Sequence, residues 1–224
     1  MDWYPLLNSL RIAAISSVVV FFTGIFAAYY AARLPRVLKG LMDVFLTLPL
    51  VLPPTVCGYL LLLLFGVRRP LGLFFAQFGI QFVMTWYGGI LAASLVAFPL
   101  MYRTARGAFE SFDKNLKNLA WSARTLGLGN VYIFWRIRMP ACRQGILAGL
   151  VLAFARALGE YGATSMLVGY IPGRTATIST TVYQFWRTNN NAAAFTWVMI
   201  NTGISALVLL AVNMLERREK TAAK

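Results

Sequence analysis

The sequence predicts an all-helical integral membrane protein of five core transmembrane helices, N-terminus outside the cytoplasm and C-terminus inside. Three observations predict it. The 224 residues are 59% hydrophobic, with a mean hydropathy of +0.66. Only 12% are charged, where a soluble domain carries about a quarter. The apolar residues also fall in unbroken runs long enough to cross a hydrocarbon layer about 30 Å thick at about 1.5 Å per helical residue. Finally, the basic residues are sorted between the runs.

The first run, Ile12 to Ala32, has 21 residues and no charge, and predicts a span over 12–32. Val44 to Val67 is again uncharged, interrupted by Pro49, Pro53 and Pro54, and predicts a span over 44–67. Pro70 to Tyr102 carries no charge, and its second half predicts a span over 85–102. A fourth span, 144–166, is apolar except for Arg156 and Glu160, and the fifth covers 194–215. What remains between the third and fourth, about 103–143, is read as one cytoplasmic loop, too short for a catalytic domain with its own core. The chain is thus one transmembrane domain over 1–224.

The net charge of +14 comes from 21 Lys and Arg against 7 Asp and Glu. Segments 33–40, 103–143 and 216–224 hold 3, 8 and 4 of the 21, while the opposite side holds Arg68, Arg69, Arg174 and Arg187. Basic loops stay in the cytoplasm, which sets the orientation and makes the charge a topology signal with no nucleic-acid partner. The first seven residues lack a basic n-region, so the first run reads as an uncleaved helix. No histidine is present, which excludes histidine-based nucleophile systems, zinc sites and proton relays. Cys57 and Cys142 read as small apolar side chains, with no metal site.

Inside the second span, each proline removes a backbone donor. That is tolerated at membrane depth where protein or a water-filled cavity satisfies the freed carbonyls. A packed kink and a broken helix lining a pathway, with Thr55 beside it, both remain open. Arg156 and Glu160 are four apart and can pair on one helix face. With the helix started at Gln144, Arg156 falls about 18 Å in, near mid-membrane. A structural pair and an anion contact are the two readings. Gly145, Gly149, Gly162 and Ala163 have the small-residue spacings that allow close helix approach in lipid. Trp3, Tyr4, Trp86, Tyr87, Tyr102 and Trp186 read as interface anchors. The polar outer stretch from Gly169 to Asn191 either faces an extracytoplasmic partner or folds back towards a pathway.

Within the cytoplasmic loop, Leu116, Leu119, Ala120 and Ala123 recur at i, i+3, i+4 and i+7, one face of a helix. Gly127 and Gly129 stop that helix, Asn130 caps a second, and Pro140 ends it. The first helix either lies on lipid headgroups or docks on a separate cytoplasmic protein. No phosphate-cradling loop of the G-x-x-x-x-G-K-[ST] kind occurs, so any ATP-driven step belongs to another polypeptide.

The run WSARTLG from Trp121 to Gly127, followed after eleven residues by Met139-Pro140, resembles the cytoplasmic "EAA" loop of ABC-importer permeases. Ala123, Gly127 and Pro140 match that pattern; Trp121 replaces its Glu, Ser122 an Ala, and Met139 its Leu. The runs LPLVLPPTVCGYLLL (Leu48 to Leu62), FARALGEYGAT (Phe154 to Thr164) and IPGRTATI (Ile171 to Ile178) narrow the likeness. Together they are similar to the permease family of molybdate/tungstate ABC importers, over about residues 5 to 215. Sulfate/thiosulfate permeases share much of the Pro-Pro and Gly-Glu-Tyr-Gly pattern.

The resemblance implies a multi-pass permease of a prokaryotic cytoplasmic membrane that passes a tetrahedral oxyanion by alternating access. Its implied partners are a second copy of itself, two ABC ATPase subunits, an extracytoplasmic oxyanion-binding protein and the bilayer. It implies no enzymatic activity and no cofactor on this chain, with ATP and Mg used by the ATPase. The implied coupling loop is Leu119, Ala120, Trp121, Ser122, Ala123, Arg124, Thr125, Leu126 and Gly127. The pathway and gate candidates are Pro49, Pro53, Pro54, Thr55, Arg156, Glu160 and Gly162. A stand-alone ion-coupled carrier would want inverted repeats or further intramembrane charges, and a membrane-embedded enzyme would want clustered polar catalysts. Neither pattern is seen.

Overall fold

A computed structural model of the chain describes residues 2–222, and the side chains of these except 115, 117 and 211–222. All the regular structure among them is helical. In order come α1 (Tyr4–Ala31), α2 (Arg36–Val51), α3 (Pro54–Phe65), α4 (Pro70–Ala76) and α5 (Trp86–Asn115). They are followed by α6 (Lys117–Thr125), α7 (Asn130–Ile133) and α8 (Met139–Leu158), the last two joined by a π-type turn, Phe134–Arg138. Then come α9 (Gly162–Leu167), α10 (Ile178–Arg187) and α11 (Asn191–Ala222). The basic side chains counted in 216–224 lie outside the described ones, and Lys224 outside the described residues.

Four stretches are long and apolar enough to cross a membrane: Tyr4–Ala31, Trp86–Lys114, Asn130–Leu158 and Asn191–Leu210. The pair α2 and α3 passes the same test together but bends by 110° at its junction, giving four spans, or five if the bent pair is one.

The centre is the bundle of α1, α5 and α8. Small residues make it possible: Ala13, Ala28, Ala97, Ala105 and Ala153 are fully buried where the helices meet. In lipid, where apolar burial alone gives no drive, such close backbone approach and its dispersion contacts hold helices together. Met101 and Phe109 fill the space between. The outward side of α1 shows Val18, Val19, Phe22 and Phe26, as a lipid-facing helix does. A second cluster forms where α3, α5 and α9 meet, around Cys57, Leu61, Val96 and Leu167. Cys57 and Cys142 are both buried, free and in separate clusters.

The outer stretch folds back over the start of α1. Asn8 Nδ2 donates to the Thr175 and Ala176 carbonyls at 3.2 and 3.0 Å, and Ser9 Oγ accepts from the Ile178 amide at 2.8 Å. Thr177 and Thr180 exchange side-chain bonds in a capping box that opens α10. These bonds satisfy backbone groups that lipid could not.

Several sequence expectations need correction. The stretch 103–143 is not one loop: α5 continues without a break to Asn115, α6 covers Lys117–Thr125, and helix resumes again at Asn130. Charges begin at Arg103, but no residue between there and Asn115 disfavours helix enough to stop it. Pro140 does not end a helix; it sits in the first turn of α8, right after the π-type turn. The missing amide is tolerated there because the i→i+5 turn has already shifted the ladder. The span 144–166 is likewise divided, α8 closing at Leu158 and α9 opening at Gly162. Because helix runs from Asn130, Arg156 lies in its last turn and not at its middle. Tyr102 is no interface anchor: it is fully buried and its hydroxyl donates to Asp43 Oδ1.

Candidate functional site

Two places carry the functional candidates, and the first is where the chain breaks at the prolines. α2 contains Pro49 and ends at Val51; Leu52 and Pro53 turn extended, and Pro54 opens α3 at a position suited to a residue without an amide. The Cys57 thiol points at the freed Pro49 carbonyl, 3.9 Å away. α3 then lies against α9 with no room to spare. A Cβ built on Gly58 meets the Ala163 Cα at 2.8 Å, and one on Gly162 meets the Pro54 Cβ at 2.7 Å and the Thr55 amide nitrogen at 3.1 Å.

Glu160 stands at the same junction. Its side chain is 1% exposed and pairs with Arg156, Oε2 to Nη1 at 2.6 Å, while Arg156 is 30% exposed. Its other oxygen, Oε1, accepts from the Ala163 amide at 2.8 Å. One carboxylate thus satisfies a first-turn donor of α9 and holds the last turn of α8. Pro54, Thr55, Glu160 and Gly162 come together here with Arg156 at the edge; Thr55 and Pro53 are exposed, and Pro49 is set back within α2. The arrangement has an ion pair, helix ends and a rigid contact, but no nucleophile, and among the described residues no group of three metal-ligating side chains.

The second place is α6. Its end is a full Schellman motif: the Leu128 amide donates to the Ala123 carbonyl at 3.1 Å and the Gly127 amide to the Arg124 carbonyl at 2.9 Å. The motif needs a left-handed residue, and Gly127 has φ +79°. Leu128 packs on the central cluster and pins the turn. Of the face expected to be apolar, Ala120 and Ala123 are buried, whereas Leu116 and Leu119 point outward, 44% and 51% exposed. Trp121, Ser122, Arg124, Thr125 and Leu126 are also exposed. Leu119, Ser122 and Leu126 share one side of α6 by spacing and give it an apolar outer face.

Sequence reasoning missed a polar network between α2 and α5. Arg106 pairs with Asp43, Tyr102 donates to the same carboxylate, and Lys39 and Arg106 both reach Glu110, at 2.5 and 3.4 Å. The i, i+4 spacing of Arg106 and Glu110 was the available signal; the partners on α2 have none. It also missed a cavity of about 310 Å³ at the α6 end of the bundle, lined by Arg33, Asp113, Trp121, Arg124, Asn130 and Arg138.

A bundle of apolar helices, a broken helix packed on a charged helix end and a short helix held off one end define a helical, membrane-spanning subunit. The fold agrees with a chain of the inward-facing MetNI methionine ABC transporter, at a TM-score of 0.75 and 13% identity, covering 96% of this chain and 94% of that one. Residues 21–221 match the family described as binding-protein-dependent transport system inner membrane component, and the chain belongs to that family. It is therefore a multi-pass component of the cytoplasmic membrane. Similar proteins include the molybdenum transport system permease protein ModB of Escherichia coli K12, 39% identical over 99% of this chain and 96% of that protein. The putative molybdenum transport system permease protein YvgM of Bacillus subtilis is 35% identical over 92% and 89%. The sulfate transport system permease protein CysW of Synechocystis is 32% identical over 87% and 70%.

Proposed function

We propose that this chain is the permease of an ATP-driven importer that passes molybdate, or tungstate, into the cytoplasm by alternating access. The observation that carries the substrate is the closer and longer likeness to molybdenum permeases than to the sulfate permease. In this reading five spans place the N-terminus outside and the C-terminus in the cytoplasm. Two copies pair around the pathway, two ATPase subunits dock below and supply ATP and Mg chemistry, and an extracytoplasmic binding protein delivers the anion. The chain itself holds no cofactor.

The break at Pro49, Pro53, Pro54 and Thr55 and the junction at Arg156, Glu160 and Gly162 line or gate the pathway. Their close packing supports this, because two helix ends locked together move as a unit. Arg156 acts there as the partner of Glu160; a carboxylate with 1% exposure at 2.6 Å cancels most of its attraction for an anion. The segment Leu119 to Gly127 couples transport to the ATPase through the outer face of α6. Its exposed leucines support docking, and Trp121 replaces the acidic residue that ABC permeases often present.

Molybdate, tungstate and sulfate are all tetrahedral dianions, so discrimination belongs to the binding protein. The test is uptake into vesicles holding the permease, ATPase and cognate binding protein. Molybdate and tungstate uptake well above sulfate at low anion concentration is expected. Equal sulfate uptake would replace molybdate by sulfate as the substrate. ATP-independent uptake by the chain alone would instead make it a carrier.

A further inference from the structure

The cavity at the α6 end of the bundle belongs neither to the helix break nor to the outer face of α6. We propose that it is a binding site for a tetrahedral oxyanion group, held by the guanidiniums of Arg33, Arg124 and Arg138.

Charge points that way first. Three guanidiniums and one carboxylate line the cavity. The carboxylate, Asp113, is already engaged, accepting from Arg138 Nη2 at 2.6 Å. Two positive charges are left facing the space. Arg138 adds a second and independent observation: the residue is 9% exposed, and its Nη1 is buried without a hydrogen-bond partner. A buried donor left unmade costs about 1–3 kcal/mol, and more when it is charged. A small turn of the guanidinium about its bond to Asp113 would bring Nη1 to an acceptor in the cavity and remove that cost.

The arginines are also held in place. Arg138 lies 5.5 Å from the Tyr29 ring centroid and 5.2 Å from that of Phe112. The Arg33 guanidinium stands over the same Tyr29 ring at 3.7 Å and donates to its hydroxyl. Stacked guanidiniums lose little freedom on binding, and their forked donors match the oxygens of a phosphate-like group better than ammonium does. Asn130 offers a neutral amide beside them.

Size sets the class of ligand. At about 310 Å³ the cavity has room for roughly ten waters at about 30 Å³ each. That suits a hydrated free oxyanion or a phosphate bearing a substituent. The shared chemistry is the tetrahedral oxyanion group, and its source is either a free anion or a phospholipid headgroup. The site joins four segments: Arg33 just after α1, Asp113 near the end of α5, Arg138 just before α8, and Arg124 on α6. A group bound there ties α6 to the bundle. It does so from the side of α6 that carries Ala120, Trp121 and Arg124, opposite Leu119, Ser122 and Leu126 by helical spacing, so docking on the outer face is left open.

The experiment uses the full chain in detergent. Inorganic phosphate and molybdate are titrated into lipid-depleted protein by calorimetry, and native mass spectrometry reads the phospholipid retained before depletion. Arg124→Gln and the double change Arg33→Gln/Arg124→Gln alter exposed residues and leave the Arg138–Asp113 pair intact. Arg136→Gln, exposed and outside the cavity, is the control. Arg124→Gln is expected to weaken anion binding about ten-fold, as loss of a charge-assisted hydrogen bond does, and the double change to abolish it. If the free-anion titration responds, the source is a free anion; if the retained phospholipid responds, it is the headgroup. Binding of both that is unchanged in the double variant, or reduced equally by Arg136→Gln, overturns the site.

Discussion

Gly162 touches Pro54 so closely that a Cβ on the glycine would stand 2.7 Å from the proline Cβ. The first turns of α3 and α9 therefore interlock, and a residue at the break of the bent pair is fixed to one just before the outer stretch. Gly162→Val should force the two helices apart. Overpacking of this kind costs about 1–3 kcal/mol, read as a lowered melting temperature in detergent, and transport should fall with it. Gly203→Val, at a glycine with nothing within 4 Å, is the control. Unchanged stability of the Gly162 variant would show that the contact yields freely.

The Arg156–Glu160 pair predicts an order. Arg156→Gln strands a carboxylate with 1% exposure, which for a buried pair costs about 3–5 kcal/mol. Glu160→Gln still accepts from the Ala163 amide and leaves Arg156, 30% exposed, able to reach polar surroundings. The arginine variant should therefore be the less stable of the two, and joint replacement by Met and Gln should recover part of the loss. Denaturant titrations of the three proteins check it. The opposite order would mean that Arg156, not Glu160, is the group that needs its partner.

At Gly127 the left-handed backbone, φ +79°, sets the expectation. A branched or bulky residue there costs about 1–2 kcal/mol per residue and opens the Schellman turn. Gly127→Leu should leave the permease inserted but reduce ATPase copurification and transport together. Survival of both would remove α6 from the coupling path.

Topology is tested by fusion. A reporter active only outside the cytoplasm should work when placed before Asp2 or near Asn190, and fail after Lys224. Activity at the C-terminal fusion contradicts five spans with the orientation set by the basic residues.

Local chemistry was legible where it is local. Prolines 53 and 54 disturb the helix at their own turn, as the sequence expects; of the two readings it left open there, a kink and a break, the 110° bend is the break. The Arg156–Glu160 pair follows from i, i+4 spacing. The length of α5 was not legible: charge marks where water begins, and helix continues through water when nothing stops it. Nor was the outward turn of Leu119, since spacing identifies a face but not which half the bundle covers. Arg33, Arg124 and Arg138 come from three separate segments, so no pattern along the chain brings them to one cavity.

The 30 residues of α5, with Pro99 inside the helix, run about 45 Å, some 15 Å more than the hydrocarbon layer needs. The helix resuming at Asn130 returns beside it, strutted by Asp113 and Arg138 at 2.6 Å. α6 is thus carried between two long legs, α5 and the helix from Asn130. A lean of about ten degrees about the far end of a 45 Å rod sweeps α6 sideways by about 8 Å. On the proposed coupling through α6, a large sideways stroke at one face of the membrane accompanies only a small displacement near the other, and a shorter α5 would blunt it even with every contact kept.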